Sequence, residues 1–223
     1  MMKHIVFIFF LSILLQACNS TSKNKQDMDS KADLIAYFET NDIVFEKENK
    51  IVQIEIKNSA LLQREQEKKG TRWTNSEAFS SIGALMFYDK LSKEVDIDSV
   101  VFKINIKSGI EKYVYSIDNL KNVKSCVDIG LKFCGAIKKQ DYETSKNNLG
   151  NEILGSLSTA QIGDLFNSIR QNGIEDYKLI AFNVHDGIIG LYFNVYYNNG
   201  EAQTYIFSFR LNGDNKIAGI QSV

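Results

Sequence analysis

The sequence predicts an α+β protein, and three observations support this class. Short apolar runs with alternating side chains, typical of half-buried strands, are separated by turn compositions rich in Asn and Gly. Longer segments carry apolar residues at helical spacing. The chain has 223 residues, of which 44% are apolar, so it can bury one large core or two small ones.

The first residues of the chain have the pattern of an export signal. Lys3 and His4 precede an apolar run over residues 5–15, which is shorter than the roughly 20 residues that a membrane-spanning helix needs. A charged start, a short apolar run and a small residue before the cut define a signal peptide. We therefore assign 1–17 to a removable signal.

The signal ends in Leu15-Gln16-Ala17-Cys18, which resembles the lipobox of bacterial lipoproteins. The resemblance implies cleavage between Ala17 and Cys18, a diacylglyceryl group on the Cys18 thiol, and often a further acyl chain on the new amine. Two or three chains would hold the protein on a bilayer, because each buried CH₂ contributes about 0.8 kcal/mol. The implied location is the cell membrane or outer membrane, facing the periplasm or the cell surface. An ordinary signal peptide, with Cys18 incidental, is the alternative.

Residues 18–33 are polar and mixed in charge, so they cannot build a core. We predict a flexible tether that spans roughly 20 Å on average.

Residues 34–117 form a predicted ββαββ region. Its strands are expected over 43–45, 51–56, 99–106 and 110–117. Thr74 and Glu77 form a capping box at the start of a helix over 75–92. The residues expected on its buried stripe are Phe79, Ile82, Leu85 and Met86. Nothing beyond this helix indicates a parallel crossover.

Residues 118–223 begin with a helical pattern and end in strands. The apolar positions at helical spacing are Val127, Leu131, Cys134 and Ile137. Ser158 and Gln161 form a second capping box before a helix over 159–171. The closing strands, predicted as an antiparallel meander because turn compositions separate them, are 178–184, 188–197, 203–211 and 216–221.

This second region resembles the NTF2-like (cystatin-like) domains. The segment AIKKQDYETSKNNLGNEILGSLSTAQIGDLFNSIRQNG is similar to their helical half, and YFNVYYNNGEAQTYIFSFRLNGDNKIAGIQSV to their sheet half. The resemblance implies helices packed on a curved four-stranded antiparallel sheet. An unrelated α+β domain is the alternative.

The cysteines of the second region are predicted to be two buried free thiols. If Cys126 and Cys134 share one helix, they lie about 12 Å apart, whereas a disulfide needs Cα atoms within roughly 7 Å. A disulfide formed in an oxidising compartment is the alternative.

Few residues indicate catalysis or metal binding. After cleavage His185 is the one remaining histidine, in a His-Asp-Gly turn, and the chain has no zinc-ligand spacing, nucleophile elbow or phosphate-binding loop. We predict no catalytic residue, no metal and no cofactor. The net charge of −1 gives no indication of a nucleic-acid partner.

One weak constellation suggests a ligand surface. Alternation places Tyr192, Asn194 and Tyr196 on one sheet face, with Ser208 and Arg210 beside them on the next strand and His185 at the preceding turn. Their hydroxyl, amide and guanidinium groups suit a polar or anionic ligand. A solvated outer face explains them equally well.

These features predict a lipid-anchored envelope protein that binds or scaffolds without catalysis. Its expected partners are the lipid bilayer, through acylated Cys18, and an envelope protein or small ligand. A small-molecule enzyme with an NTF2-like pocket and an inhibitor or immunity-type lipoprotein are the alternatives.

Overall fold

The computed structural model describes residues 30–67, 75–91 and 96–223. The predicted signal peptide, the Ala17 and Cys18 junction, most of the tether, and Thr74 of the first capping box lie outside these residues. Residues 30–33, which we assigned to the tether, belong to a helix.

The described chain combines helices with two four-stranded sheets, so the α+β class is confirmed. The helices are α1 (30–38), α2 (Ala60–Glu67), α3 (Asn75–Lys90), α4 (Ile117–Lys139), α5 (Tyr142–Asn147), α6 (Asn151–Leu154) and α7 (Thr159–Arg170). The strands are β1 (Ile43–Glu48), β2 (Ile51–Ile56), β3 (Ser99–Ile106), β4 (Gly109–Ser116), β5 (Ile174–His185), β6 (Ile188–Tyr197), β7 (Ala202–Arg210) and β8 (Ile217–Ser222).

The amino-terminal sheet has the order β1-β2-β3-β4 and differs from expectation in its centre. β2 and β3 pair in parallel, with Ile54 opposite Phe102, and the chain crosses between them through α2 and α3. The sequence analysis predicted one helix here and no parallel crossover. Alternation identifies which face of a strand is buried, but it carries no information about the direction of the neighbouring strand.

The carboxy-terminal sheet is the predicted antiparallel meander β5-β6-β7-β8. β5 begins at Ile174, earlier than predicted, because register shifts between Ile174 and Asp176 and between Leu179 and Ala181 break its alternation. On α7 both hydrogen bonds of the Ser158 and Gln161 capping box are present, which confirms that prediction.

Helix α3 packs against both sheets. A Cβ on Gly83 would lie 2.9 Å from the Phe102 ring of the amino-terminal sheet. On the other side, the backbone N–H of Phe182 on β5 donates to Ser81 Oγ at 3.1 Å. The predicted single buried stripe of α3 is therefore only part of its buried surface. Leu85 is buried, whereas Ile82 and Met86 are half-buried. Small side chains of this helix are also buried: Ser76, Ser80, Ser81 and Ala84.

Helix α4 covers the inner face of the carboxy-terminal sheet. A Cβ on Gly130 would meet the Phe193 ring at 2.8 Å, so glycine lets the helix approach closely. Leu131, one of the apolar positions at helical spacing, lies in this helix as predicted, but its side chain is 38% exposed. Cys126 and Cys134 are buried and free, as predicted, and burial raises both thiol pKa values to about 12.

Buried apolar residues from both sheets belong to one continuous core. Among the described helices, none is both long and apolar enough to cross a membrane.

Candidate functional site

The predicted ligand surface lies on one sheet face but does not converge. The register of β6 and β7 places Tyr192, Asn194, Tyr196, Ser208 and Arg210 on the same side of the sheet. Tyr196 and Arg210 stand at opposite ends of it, about 26 Å apart along the strands.

These residues already have local partners. Tyr192 is 7% exposed, which corrects its expected place on a solvated face, and its hydroxyl oxygen accepts from Asn183 Nδ2 at 3.2 Å. Thr204 Oγ1 donates to Asn194 Oδ1 at 2.7 Å, and Arg210 Nε donates to Glu152 Oε1 at 2.5 Å. The surface therefore gives no single ligand site.

His185 differs from the others because it borders a cavity. Asp186 and Gly187, at φ 50 and 75, make the two-residue turn that pairs His185 with Ile188. His185 Nε2 lies 2.9 Å from Asp186 Oδ2, and both side chains are more than four-fifths exposed.

The cavity beside His185, which we call the inter-sheet cleft, has a volume of about 340 Å³. It lies between β4, the start of α4, the end of β5 and the start of α3. Its polar lining consists of Glu77, Tyr113, Tyr115, Asn119, Asn183 and His185. Its apolar lining consists of Val114, Leu120, Phe182 and Val184. This volume is in the range of small ligand sites.

Hydroxyl groups connect α3 to β4 along one side of the cleft. Glu111 Oε2 accepts from Tyr113 OH at 2.6 Å and also from Ser76 Oγ. Both protons go to the carboxylate because a charged oxygen is the stronger acceptor. Ser80 Oγ and Tyr115 OH share a hydrogen bond of 2.6 Å. These bonds fix the tyrosine rings at the cleft wall.

The phenols of Tyr115 in the cleft and of Tyr192 on β6 are held neutral. Burial raises the pKa of Tyr115 well above its ordinary value, although the Ser80 hydrogen bond acts in the opposite direction, and the Glu77 charge raises it further. Burial likewise raises the pKa of Tyr192, opposed by its bond with Asn183 and assisted by Glu77. Neutral phenols act as hydrogen-bond donors and acceptors, not as bases.

The sequence analysis missed the tyrosines and Glu77 as site residues. Glu111, Tyr113 and Tyr115 alternate along β4, so their shared face is visible in the sequence. What the sequence does not show is that β4 and β5, far apart in the chain, border the same cavity.

Other features of the described chain are weaker candidates. A cavity of about 440 Å³ is lined by Glu55, Lys57 and Asn105, among others. The carboxylate of this cavity already has partners within the chain. Asn105 Nδ2 donates to Glu55 Oε1 at 2.9 Å, and Lys57 Nζ lies 3.3 Å from Glu55 Oε2. No group of three or more His, Cys, Asp or Glu residues in the described ranges can hold a metal.

The chain matches no protein family model, no curated protein and no solved structure. The cleft is therefore the feature of the described residues from which a function can be inferred. Its groups can recognise a ligand through hydroxyl, amide and carboxylate hydrogen bonds, with aromatic rings and Val114 supplying apolar contact.

Proposed function

We propose that the protein is a lipoprotein of the bacterial cell envelope, anchored through acylated Cys18, whose inter-sheet cleft binds a partner without catalysis. The observation that carries this proposal is the cleft chemistry. Its tyrosine hydroxyls are fixed by hydrogen bonds, and burial keeps that of Tyr115 neutral, which suits recognition and does not supply an activated nucleophile.

The finer fold assignment is part of the same proposal: residues 118–223 form an NTF2-like cone, preceded by a region in which two strand pairs flank the helices α2 and α3. The helices α4 and α7 on an antiparallel meander support it. Pockets of such cones lie on the inner face of the sheet, and here aromatic side chains fill that face. These residues are at most 2% exposed: Phe133, Phe166, Phe193, Phe207 and Phe209. A filled cone favours binding at the cleft over small-molecule catalysis inside the sheet.

A second candidate function, a small-molecule enzyme, is favoured by one observation. The His185 and Asp186 pair stands at the mouth of the cleft, 2.9 Å apart, where the imidazole is available as a general base. Both side chains are exposed to solvent, so the pair is weakly positioned. Turnover that is lost in His185→Gln but retained in Asp214→Asn would establish this function in place of the first.

The anchor is tested by comparing the wild-type chain with Cys18→Ser in its native host. We expect the wild type in the membrane fraction with an intact mass raised by acyl groups, and the Cys18→Ser form without that mass. Cys126→Ser is the matched control and should be acylated normally. Equal masses for wild type and Cys18→Ser would reject the lipid anchor.

The binding function is tested by crosslinking in the native envelope. The double variant Glu77→Gln with Tyr113→Phe keeps the shape of the cleft but removes its carboxylate charge and one hydroxyl. We expect the crosslinked species of the wild type to be lost from this variant and kept in Tyr196→Phe, which lies outside the cleft. Identical crosslinks in all three would exclude the cleft as the binding site.

A further inference from the structure

The two sheets present four outer edges, and three of them are protected. On β5 the Phe182 N–H donates to Ser81 of α3. On β8 the residue Ile217 donates to Asn148 O at 2.9 Å and accepts from Gly150 N at 2.8 Å. β1 ends in charged residues, Glu46, Lys47 and Glu48, which discourage pairing.

The backbone at the outer edge of β4 receives no hydrogen bond from another element among the described residues, and its two charged residues, Glu111 and Lys112, stand between exposed apolar ones. β4 pairs with β3 without a register shift, so no bulge turns its edge away. Ile110 and Val114 are 63% and 61% exposed, which makes them the most exposed large apolar side chains of the described residues. An edge without a bulge, with free outward backbone groups and exposed apolar side chains, is a template for another strand.

The pairing pattern identifies which backbone groups of β4 face outward. Ile117 N donates to Asp98 O at 2.9 Å, so odd-numbered residues of this strand bond to β3. The N–H and C=O groups of Ile110, Lys112 and Val114 therefore point away from the sheet. Within the described ranges no hydrogen bond reaches them. Such a row of alternating donors and acceptors is matched by an extended polypeptide.

The side chains of β4 restrict the sequence of that polypeptide. Lys112 lies directly opposite Lys103 on β3, and like charges in this arrangement repel. Lys112 has no ion pair in the part of the chain that the structure describes. A carboxylate on an incoming strand would relieve this repulsion, and apolar residues on either side of it would cover Ile110 and Val114.

The inter-sheet cleft borders the carboxyl end of this edge. Its lining includes three consecutive residues of β4, Tyr113 to Tyr115, and Val184 of β5. β5 and the start of α4 stand on its other sides. Because β5 and the start of α4 flank this end of β4, a partner as narrow as one extended segment meets fewer obstructions than a second sheet, so the geometry favours a peptide over a second copy of this chain.

We propose that the partner is an extended peptide segment of another protein, which pairs with β4 as a fifth strand and places an acidic residue, flanked by apolar ones, opposite Lys112. This inference rests on the proposed binding function and specifies the class of partner. Main-chain hydrogen bonds to β4 provide affinity, while Lys112 and the cleft side chains select the sequence.

The test uses the soluble full chain with Cys18→Ser and a random library of 12-residue peptides displayed on phage. Selected peptides are synthesised in three forms: unmodified, N-methylated at odd positions, and N-methylated at even positions. Only one edge of the peptide donates to β4, so we expect one methylated form to lose about tenfold or more in affinity and the other to bind normally.

Protein variants locate the binding edge. Val114→Pro removes an outward N–H from β4 and should weaken binding about tenfold, whereas Lys47→Pro, the matched change on β1, should leave it unchanged. Lys112→Glu should reverse the preference for an acidic residue by up to about fivefold. Bound peptide should slow hydrogen exchange at the amides of Ile110, Lys112 and Val114.

Several results would overturn strand addition. They are equal effects of the two methylation patterns, unprotected β4 amides in the complex, no peptide enriched over the Val114→Pro protein, or dimers of the free chain that form through β4. If peptides bind in a way that depends on Glu77 and Tyr113 but leave the β4 amides unprotected, the cleft function stands and the strand pairing falls. If native crosslinks also ignore Glu77 and Tyr113, the cleft function itself fails.

Discussion

The two sheets have the same number of strands but use their surfaces differently. The carboxy-terminal sheet is antiparallel throughout, its inner face is filled by phenylalanines, and its outer strands β5 and β8 are each covered by backbone or hydroxyl contacts. The amino-terminal sheet has a parallel pair in its centre and leaves β4 uncovered, with Ile110 and Val114 exposed.

This difference supports the proposed division of roles between the two regions. In that proposal the carboxy-terminal sheet, with bonded edges and a filled interior, is the support. The outer edge of β4 and the hydroxyl-lined cleft are the proposed binding surface. The sequence pattern predicted a ligand surface on one face of β6 and β7, whereas the geometry favours β4.

The largest effect is expected from emptying the filled sheet. Phe207 is fully buried and packs edge-to-face on Phe133, with ring centroids 5.3 Å apart. We expect Phe207→Ala to reduce the free energy of unfolding by about 3–5 kcal/mol, measured by chemical denaturation. Val114→Ala on the exposed edge is the control and should change it by less than about 0.5 kcal/mol. Similar losses for both variants would contradict the division of roles.

The next largest effect is expected where α4 packs closely on the carboxy-terminal sheet. A methyl group at Gly130 overlaps the Phe193 ring, so Gly130→Ala should destabilise the fold by about 1–3 kcal/mol. Gly163 of α7 has open space around it, and Gly163→Ala should stabilise by about 0.5–1 kcal/mol through helix propensity. If thermal melting shows the same sign for both variants, α4 does not pack as closely as described.

A smaller effect arises at the junction of the two regions, where Tyr115 contacts Phe182 edge-to-face. Because burial raises the folded-state pKa of Tyr115, its contribution to stability is complete below the unfolded value near 10.0 and declines as the pH rises above it. Tyr115→Phe should cost about 0.5–1.5 kcal/mol at pH 7. It should also make the alkaline loss of stability shallower, and an unchanged alkaline slope would show that Tyr115 is not buried.

The last prediction is that a reducing agent has no effect on stability. Cys126 and Cys134 form no disulfide, so dithiothreitol should leave the free energy of unfolding of the Cys18→Ser form unchanged. Their buried thiols should react with Ellman's reagent only after unfolding, since the pKa of each is raised to about 12. A 2 Da mass increase upon reduction would contradict both statements.

Local features of the fold were predictable from the sequence, and long-range ones were not. The Ser158 capping box and the strand over 188–197 depend on neighbouring residues, and the structure reproduces both. The two-sided burial of α3 was missed because serine, glycine and alanine carry no hydrophobic signal. The parallel pairing of β2 with β3 was missed for a similar reason, since it depends on a crossover and not on side-chain alternation.

The candidate site shows the same limit. The polar face of β4 can be predicted from the alternation of Glu111, Tyr113 and Tyr115. Its role depends on the end of β5 that lines the cleft, residues 182–185, which lies more than sixty residues away in the chain. Tyr192 shows the opposite error. The alternating pattern of β6 predicted a solvent-exposed face for this side chain, but it is buried by residues from other parts of the chain, which the pattern of one strand cannot indicate.

The contact of Ser81 with the Phe182 amide has a consequence for inheritance of the gene. Recombination that separated residues 34–117 from 118–223 would deliver a carboxy-terminal product whose β5 backbone has lost its hydroxyl acceptor, next to an uncovered Phe182 ring. Such a product would tend to aggregate through that edge. The two regions are therefore expected to be transmitted together.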